Sequence, residues 1–490
     1  MSAEHDFDVI VIGAGPAGMR AATRCAQAGL ATLLVDEQPG PGGQIYRGIT
    51  MSAISDRAVL GADYWHGETL VEQLRRSTVD YRPQTTAWSV MPDDADRRSY
   101  WEIGLSSAGK SSLARARHVI VATGAQERPF PIPGWTLPGV MTAGAAQILL
   151  KTAGLVASGK TVIAGNGPLL YLLVAQLAAA GARIERVLEI ARATPSKVGA
   201  ARAWDFVRSP YLVKGLSIWR RAHRAAPFHT GVTALRITGD TSATGIGYQR
   251  NGRDYHVEAD TVLLHQGVVP SINLTSALGC AHEWDALQRC FTVTRDTWGA
   301  TTVDGISIVG DGAAIRGARV AELEGEIAAL DVLSRLGVVS VAHRDAVAAP
   351  LRVALRRWLR GRAFLDARYR PADATCIPGG DTIVCRCEEI TATQVADMTD
   401  HGVTGPNQMK AFLRCGMGPC QGRVCGLTVT EILARRCGLT PDETGYYRLR
   451  FPIKPVTLQE LAAMPQTEAS QFAVTRVKAV GSTATGGIST

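Results

Sequence analysis

Two parts of the chain show the same succession of apolar and polar positions. Residues 7–38 read as an apolar strand, a glycine turn, an amphipathic helix and a second apolar strand, and residues 160–190 repeat this order. A glycine turn between a strand and a helix is the unit that binds half of a dinucleotide. The pattern therefore predicts an α/β protein with two Rossmann-like dinucleotide-binding domains, the second inserted within the first.

Later elements return the chain to the first domain. Apolar strands are predicted at 260–270 and 305–313, followed by an alanine-rich helix from Arg319 to about Leu336. The end of the chain is rich in Ser, Thr, Ala and Gly, and we expect it to be loose. The predicted boundaries are 1–150 and 260–340 for the first domain, 151–259 for the inserted domain, 341–375 for a helical linker, 376–440 for a small cysteine-containing domain and 441–490 for a C-terminal segment.

The composition is that of an ordinary soluble globular protein. Apolar residues make up 46% and charged residues 20% of the 490 residues, enough for roughly two to four domains. The net charge of +8 is compatible with nucleic-acid binding. However, the arginines are scattered except in 351–371, and no aromatic stacking motif accompanies them. The pattern favours a solvated helix or a subunit contact over a nucleic-acid interface.

Neither a secretory signal nor a membrane span is predicted. Residues 1–13 enter an apolar strand without a basic region before it. The uncharged run 161–182 is long enough to span a bilayer, but the sequence GNGP at 165–168 interrupts it. A strand, a turn and a helix explain this run better. We therefore expect a cytoplasmic protein with reduced cysteines.

The first glycine turn contains the G-x-G-x-x-G pattern of a dinucleotide site. Gly13 permits the tight turn, Gly15 lets the backbone approach a pyrophosphate, and Gly18 lets the helix pack closely on the sheet. Asp36 follows Gly13 by 23 residues, at the end of the second strand, where a carboxylate accepts hydrogen bonds from ribose hydroxyls. Glu37 is the alternative acid. This context favours a nucleotide site over a structural turn.

The second glycine turn departs from the pattern. Gly165 and Gly167 keep the first two positions, but Leu170 occupies the third, where its side chain would push the helix away from the sheet. The acid is also displaced, because Glu189 follows Gly165 by 24 residues. We expect a Rossmann-like fold here. Whether it binds NAD(P)H, or is a vestigial or differently occupied pocket, stays open.

Cysteines are concentrated near the C-terminal end, where five of the ten lie between residues 385 and 425. Cys385 and Cys387 form one close pair and Cys420 and Cys425 another, with 32 residues between the pairs. Pairing Cys415 with Cys420 would leave 27. Thiolates on glycine-rich turns suit an iron–sulfur cluster. Zinc is the main competitor, although C-x-C is less usual than C-x2-C in zinc sites, and purely structural cysteines are a third alternative.

No constellation for substrate chemistry stands out. Cys25, Cys280 and Cys290 are isolated in sequence, which argues against a disulfide reductase. His265 lies at a strand end, where a hydrogen-bonded structural histidine is the favoured interpretation. No catalytic residue is assigned from the sequence.

Three segments resemble those of flavoproteins that contain two dinucleotide-binding domains. They are PGGQIYR at 41–47, VIVATGAQERPFPIPG at 119–134 and GISIVGDGAA at 305–314. The resemblance implies FAD in the first domain, with Asp311 bonded to the ribityl chain. The implied FAD-binding residues are Gly13, Gly15, Pro16, Ala17, Gly18, Asp36, Glu37, Gly43, Gln44, Arg47, Thr123, Gly124, Gly310 and Asp311.

The cysteine region resembles the bacterioferritin-associated-ferredoxin-like [2Fe–2S] domain. In that domain, C-x-C and a later close pair bracket a helix-rich segment of similar length. Relatives fused to flavoproteins, including some glycerol-3-phosphate dehydrogenases, share an ending like GMGPCQGRVC. The resemblance implies a small, mostly helical [2Fe–2S] domain with Cys385, Cys387, Cys420 and Cys425 as ligands, and Cys415 as a nearby fifth thiol.

The order of these parts resembles the larger (A or alpha) subunit of heteromeric bacterial amine dehydrogenases. These include opine oxidases, hydrogen cyanide synthase and D-hydroxyproline or proline dehydrogenases. The segments DEQPGPGGQIYR, CRCEEIT, GMGPCQGRVC and RLRFPIKPVTLQELA carry the resemblance over nearly the whole chain. It implies a hetero-oligomer in which a smaller D-amino-acid-oxidase-like flavoprotein subunit removes hydride beside the amine; a third small subunit is a further option.

In this interpretation the chain accepts electrons on FAD and passes them singly through [2Fe–2S]. A self-contained NAD(P)H-dependent flavin and iron–sulfur oxidoreductase is the main alternative, and a redox or iron sensor is a third. Leu170 argues against the NAD(P)H-dependent enzyme. The complete set of Gly13, Asp36 and Asp311 argues against a sensor that uses the flavin domain only as a scaffold.

Overall fold

The computed structural model describes residues 6–93, 100–190 and 197–464. The predicted loose tail, residues 465–490, lies outside them. The first stretch of chain contains, in order, β1 (Asp6–Ile12), α1 (Pro16–Gln27), β2 (Thr32–Val35), α2 (Arg57–Leu60), α3 (Ala62–Trp65), α4 (Gly67–Arg75), β3 (Asp80–Arg82), β4 (Thr86–Pro92), β5 (Trp101–Ser107) and β6 (Lys110–Val121).

The apolar strand β1 lies in the middle of the first sheet, whose order is β3–β2–β1–β6–β5–β4. It pairs in parallel with β2 and β6. Its alternate residues enter different cores, since Val9 and Val11 pack into one and Ile10 and Ile12 into another. Burial on both faces explains why this strand is apolar without alternation.

The inserted domain forms a second sheet in the order β13–β12–β11–β10–β9–β14–β8. It extends beyond both predicted boundaries of 151–259, because β14 pairs in parallel with β9 and with β8. Strand pairing, rather than the position of the glycine turn, sets its limits. The elements are β7 (Ala125–Glu127), β8 (Val140–Thr142), α5 (Ala143–Ala153), β9 (Thr161–Gly165), α6 (Pro168–Ala179), β10 (Ile184–Ile190), α7 (Lys197–Val207), α8 (Tyr211–Ala225), β11 (Phe228–Gly239), β12 (Ala243–Arg250), β13 (Arg253–Glu258) and β14 (Thr261–His265).

The chain then returns to the first domain through β15 (Val268–Pro270), α9 (Asn273–Ala277), β16 (His282–Asp285), β17 (Cys290–Val293), β18 (Ile306–Ile308) and α10 (Ala318–Arg335). β15 pairs with β7, so the exit from the first domain and the return to it lie side by side. β18 pairs with the end of β6 and completes the first sheet. Helix α10 is the predicted alanine-rich helix. It packs closely on α1, where a Cβ at Gly325 would overlap the carbonyl group of Ala17.

The C-terminal part is mostly helical. It contains α11 (Val341–Leu359), α12 (Arg362–Arg368), α13 (Asp373–Cys376), β19 (Ile383–Cys385), β20 (Ile390–Thr391), α14 (Ala392–Asp397), α15 (Pro406–Leu413), α16 (Gly426–Cys437), α17 (Pro441–Thr444) and α18 (Leu458–Ala462). None of the helices within the described ranges has the length and apolar character needed to cross a bilayer. The predicted α/β fold class, with two Rossmann-like sheets and a small helical region, is confirmed.

Hydrogen bonds and an ion pair fasten the C-terminal part to the first domain at two places. The buried Arg289 donates from Nε to Glu431 of α16 at 2.9 Å. After α17 the chain runs back along the first domain, where the amide of Ile453 donates to the carbonyl of Trp88 at 2.9 Å. Lys454 pairs with Glu37 at 2.7 Å. The segment after residue 440 is therefore part of the packed structure.

One buried histidine makes the stability of this fold depend on pH. His118 of β6 is 4% exposed and bonds through Nε2 to Ser307 of β18 at 2.9 Å. Burial, reinforced by the charge of Arg335, lowers the pKa of His118 from 6.5 to about 4. The unfolded chain therefore binds this proton between pH 6.5 and pH 4 while the folded chain does not, so acidification through that window destabilises the fold.

We expect His118→Gln to remove roughly 3 kcal/mol of this pH dependence, because each unit of pKa shift corresponds to about 1.4 kcal/mol. Urea unfolding of both proteins between pH 7 and pH 4 measures it. The exposed His401 gives the matched variant His401→Gln, which should keep the wild-type slope. Equal slopes for His118→Gln and the wild type would contradict the prediction.

Candidate functional site

The first glycine turn leaves no room for side chains at two of its positions. Gly13 has φ +107°, and a Cβ there would lie 2.5 Å from the carbonyl oxygen of Ala122. A Cβ on Gly18 would overlap the carbonyl oxygen of Gly13. Helix α1 therefore begins tightly against the end of β1, with Pro16 and Ala17 in its first turn. Such a helix start presents unpaired backbone N–H groups to an anion.

The loop predicted to follow the flavin lies directly on this turn. The amide of Gly42 donates to the carbonyl of Ala14 at 2.8 Å. A Cβ on Gly43 would lie 2.8 Å from the Cα of Gly15, so these two backbones touch. A Cβ on Gly15 itself would meet only the Cα of Gly43, at 3.8 Å. One side of Gly15 therefore stays open, as the backbone approach to a pyrophosphate requires.

The acid at the end of β2 lies at the same turn. Asp36 accepts hydrogen bonds from the amides of Ala14 through Oδ2 at 2.6 Å and of Gln38 through Oδ1 at 2.8 Å. Burial raises the pKa of Asp36, and these two amide bonds oppose the rise. Glu37, the alternative acid, instead forms the ion pair with Lys454. Asp36 is therefore the better placed of the two for a ribose.

A third segment brings Asp311 to the turn. A Cβ on Gly310 would lie 3.0 Å from the Cβ of Ala17, in the first turn of α1. Gly312 lies against the second predicted segment, where a Cβ would approach the amide of Gly124 at 3.1 Å and Oγ1 of Thr123 at 3.3 Å. Close packing of glycines therefore joins the three predicted FAD segments.

Only one of the two carboxylate oxygens of Asp311 accepts hydrogen bonds from the described residues. Its Oδ1 accepts from the amides of Arg316 at 2.7 Å and Gly317 at 2.8 Å. Burial raises the pKa of Asp311, and these bonds oppose the rise. Its Oδ2 has no hydrogen-bond partner among the described residues. Nε of Arg47 is likewise buried without a partner in the described part of the chain. The first glycine turn, the loop at 41–47 and the segment around Asp311 together form the nucleotide cradle. An unused acceptor on Asp311 and an unused donor on Arg47 beside this cradle fit a bound dinucleotide.

Lys151 supports the same loop and was not foreseen from the sequence. It is 2% exposed, and its Nζ donates to the carbonyls of Gln44 at 3.1 Å and Ile45 at 2.9 Å and to Gln147 at 3.0 Å. Burial, with a smaller contribution from Arg47, lowers the pKa of Lys151 to about 7. A single lysine in an alanine-rich helix carries no sequence signal for this role. It fixes the backbone of a loop whose Gln44 side chain is exposed.

The second glycine turn is arranged differently. Glu189, the displaced acid, is 3% exposed and accepts a hydrogen bond from the hydroxyl of Tyr171 at 2.9 Å. Leu170 is completely buried in the core. The inserted domain thus folds as expected, but its acid points into the protein rather than towards a ribose site.

His265 is the last residue of β14 and is 5% exposed. Its Nδ1 bonds to Oε1 of Glu127 at 2.7 Å, and the amide of Gly144 donates to Oε2 of the same carboxylate at 2.7 Å. This chain of contacts holds the ring between β14, β7 and α5. A structural role explains the residue.

The five clustered cysteines, called here the cysteine group, form a buried set of three and a neighbouring pair. The Sγ atoms of Cys385, Cys415 and Cys425 all lie within 4.8 Å of one another. Cys387 is exposed and interacts with both the amide and the thiol of Cys420. Gly418 has no room for a side chain, because a Cβ there would lie 3.0 Å from Sγ of Cys387 and still closer to its Cβ.

The three buried thiols strongly affect one another. Bonds from the thiols of Cys415 and Cys425, and further amide bonds, lower the pKa of Cys385. The contact with Cys385 in turn raises the pKa of Cys415 and of Cys425. Three thiolates cannot share this space without a cation among them. The donor set therefore fits a metal centre, and the amides directed at sulfur suit an iron–sulfur cluster.

Tyr447 also belongs to this site and was missed from the sequence, because it follows the predicted limit of residue 440. Its hydroxyl lies 3.6 Å from Sγ of Cys415 and 3.7 Å from Sγ of Cys425. An aromatic pair after a short helix has no spacing that distinguishes it from core residues.

The cysteine loop contacts the first domain directly. The side chain of Gln126 donates to the carbonyl of Arg423 at 2.7 Å. The side chain of Asn273 donates to the carbonyl of Gln421 at 3.1 Å. Gln126 follows Gly124 by two residues, and Arg423 precedes Cys425 by two. The cysteine group and the nucleotide cradle are therefore joined through a few residues of backbone.

Comparisons with known proteins agree with this architecture. Residues 7–343 match the family described as pyridine nucleotide-disulphide oxidoreductase, and residues 380–465 match the sarcosine oxidase A3 domain. A solved structure of L-proline dehydrogenase from P. horikoshii shares the fold, with a TM-score of 0.67 and 20% identity over 94% of this chain and 81% of that one.

Several similar sequences are subunits of opine oxidases or of hydrogen cyanide synthase. The opine oxidase A subunit of Rhizobium meliloti is 47% identical over 96% of this chain and 90% of its own length. The corresponding opine oxidase protein of Agrobacterium tumefaciens (strain Ach5) is 46% identical over 96% and 94%. Hydrogen cyanide synthase subunit HcnB of Pseudomonas aeruginosa is 32% identical over 91% and 96%. The predicted resemblance is confirmed: the chain belongs to the pyridine nucleotide-disulphide oxidoreductase family and, within it, to the family of the opine oxidase A subunits.

Proposed function

We propose that this chain is the electron-transfer subunit of a cytoplasmic, heteromeric dehydrogenase that oxidises a secondary-amine amino acid such as an opine, hydroxyproline or proline. The observation that carries the proposal is the contact of the cysteine loop with the nucleotide cradle through Gln126 and Asn273. A protein that moves electrons between two carriers must hold them close together in a fixed arrangement. The names of the similar subunits support an amine as the substrate.

FAD is the proposed ligand of the first domain. Gly13, Gly15 and Gly18 shape the pyrophosphate site, and Asp36 accepts from the ribose. Asp311 and Arg47 supply the unused acceptor and donor described above. Bound FAD would supply the ability to take two electrons and to release them one at a time. The protein groups hold and orient it.

A [2Fe–2S] cluster is the proposed ligand of the cysteine group, with Cys385, Cys387, Cys420 and Cys425 as the residues that bind it. The contacts divide these four into two close pairs, Cys385 with Cys425 and Cys387 with Cys420. One pair for each iron is the arrangement that a two-iron cluster needs. Cys415 then lies beside the first pair as the fifth thiol. Four thiolates also suit zinc, which metal analysis separates from iron.

Substrate oxidation is assigned to a partner, a smaller D-amino-acid-oxidase-like flavoprotein subunit. Exposed apolar side chains on α7 and α8 support a hetero-oligomer, since Trp204 is 68% and Val213 78% exposed. All ten cysteines are free, as expected in a reducing compartment. Within the arginine-rich segment 351–371, Arg362 pairs with Asp366 and Arg352 lies over the ring of Trp298, and we propose no nucleic-acid partner.

We expect Gly18→Ala to weaken FAD binding by about tenfold or more, which corresponds to ~1.4 kcal/mol. The new Cβ must displace the carbonyl of Gly13 and with it the turn that faces the pyrophosphate. FAD retained after gel filtration, and fluorescence titration of the FAD-free protein, measure the change. Gly215→Ala on α8, where a Cβ meets nothing within 4 Å, is the matched control. FAD retention equal to that of the control would contradict this placement of the pyrophosphate.

We expect NADH to leave the flavin of the isolated chain oxidised under anaerobic conditions, because Glu189 is bonded to Tyr171 and is not free for a ribose. Stopped-flow absorbance measures the reaction, with dithionite as the control for a reducible flavin. Rapid bleaching by NADH would favour a self-contained reductase. Bleaching of the isolated chain by an opine or D-hydroxyproline would place substrate chemistry in this chain rather than in its partner.

We expect Cys420→Ser to abolish the visible spectrum of the cluster and to leave FAD bound, because it removes one of four ligands. Cys415→Ser should keep both spectra. Absorbance, iron and sulfide content and FAD content measure these outcomes. Loss of the cluster in Cys415→Ser, together with its retention in Cys425→Ser, would show that Cys415 is the ligand in place of Cys425.

A further inference from the structure

Tyr447 places a hydroxyl group between two sulfurs of the cysteine group. The residue is 1% exposed, and its hydroxyl is within hydrogen-bond reach of Sγ of Cys415 and of Cys425, at 3.6 and 3.7 Å. Among the described residues, these sulfurs are the only hydrogen-bond partners of this hydroxyl. A buried hydroxyl without another acceptor depends on sulfur to satisfy its proton.

Two glycines of the cysteine loop make room for the tyrosine ring. A Cβ on Gly422 would lie 2.5 Å from Cδ2 of Tyr447, and a Cβ on Gly416 would overlap the hydroxyl end of the ring. On another side, Nζ of Lys410 lies 4.9 Å from the ring centroid. The glycines of the GMGPCQG sequence therefore have a second purpose beyond turning the chain, because they admit this ring to the sulfurs.

The backbone around Tyr447 is held on both sides. The side chain of Asn407 donates to the carbonyl of Tyr446 at 3.1 Å and accepts from the amide of Arg448 at 2.8 Å. Thr430 of α16 donates to the carbonyl of Gly445 at 2.9 Å. The backbone that carries the ring is thus held by contacts that do not involve sulfur.

We propose that Tyr447 donates a hydrogen bond to the Cys425 sulfur and raises the reduction potential of the cluster. The inference rests on the proposed [2Fe–2S] site. Without a metal, the hydroxyl donates its one proton to Sγ of Cys415. A ligating Cys425 is a thiolate that can only accept, and its negative charge makes it the stronger acceptor of the two sulfurs for that proton. Reduction places additional negative charge on the cluster and its sulfurs, and a donor therefore stabilises the reduced form more than the oxidised form.

The test is the midpoint potential of the cluster in the full-length chain, measured by a redox titration followed by electron paramagnetic resonance. Tyr447→Phe keeps the ring and removes the donor. We expect the potential to become more negative by about 59 mV, equal to a tenfold change in the one-electron equilibrium constant. An intact cluster signal with an unchanged potential overturns the inference and leaves the proposed cluster standing.

Tyr446→Phe is the matched control. Its hydroxyl donates to the carbonyl of Gly422 at 3.1 Å and to no sulfur. We expect this variant to keep the wild-type potential. Equal shifts in the two variants would attribute the effect to general loosening of the loop and would overturn the inference.

A second substitution covers the case in which Tyr447→Phe does not assemble a cluster. Site-specific 3-fluorotyrosine at position 447 keeps the ring and makes the hydroxyl a stronger donor, so the potential should rise rather than fall. A fall, or no change, overturns the inference. If the unmodified chain shows no iron signal at all, the proposed function fails, and this inference fails with it.

Discussion

The side chains of Gln126 and Asn273 hold the backbone of the cysteine loop against the first domain. Gln126 lies at the start of β7, where the chain leaves the first domain, and Asn273 begins α9, just after the chain returns. Both anchors therefore belong to the paired crossover between the two Rossmann-like domains. Any movement of that crossover would move the cysteine group relative to the nucleotide cradle. The antiparallel pairing of β7 with β15 therefore stabilises the distance between these two sites.

The two candidate cofactor sites are built on opposite principles. The nucleotide cradle is made by removing side chains, since Gly13, Gly18 and Gly310 each lie where a Cβ would crowd a neighbour. Its charge comes from backbone amides and from Asp36, whose ionisation those amides support. The cysteine group instead brings side chains close together, with three sulfurs within 4.8 Å that repel one another once ionised. The first site needs an anion to fill a gap, and the second needs a cation to relieve repulsion.

Local sequence spacing was sufficient to predict that the first glycine turn and Asp36 lie together. A strand, a glycine turn and an acid 23 residues later lie within one βαβ unit, so their relative positions follow from regular geometry. Spacing was insufficient where the partners are distant in sequence. Lys151 reaches a loop more than 100 residues earlier, and the two carbonyls that it binds there leave no trace in the sequence around it.

The strands that join each sheet were less predictable than the fold of each domain, because some pair across long stretches of sequence. The second sheet gains β8 and β14 through parallel pairing that only the tertiary structure decides. Tyr447 likewise lies beyond the predicted end of the cysteine domain, because a ring can enter from any segment that passes the two glycines. The inward turn of Glu189 onto Tyr171 could not be read from its spacing either, since a shift of one residue along a strand reverses the face of the side chain.

The segment after α17 gives the architecture one further property. Through Ile453 and Lys454 it returns to the first domain, so the helical region is attached there by its own anchors and again by the chain that leaves it. A carrier held at both ends cannot swing between donor and acceptor as a tethered shuttle does. In the proposed function, electron exchange inside this chain would therefore occur across a constant gap, with gating left to the molecules that dock on it.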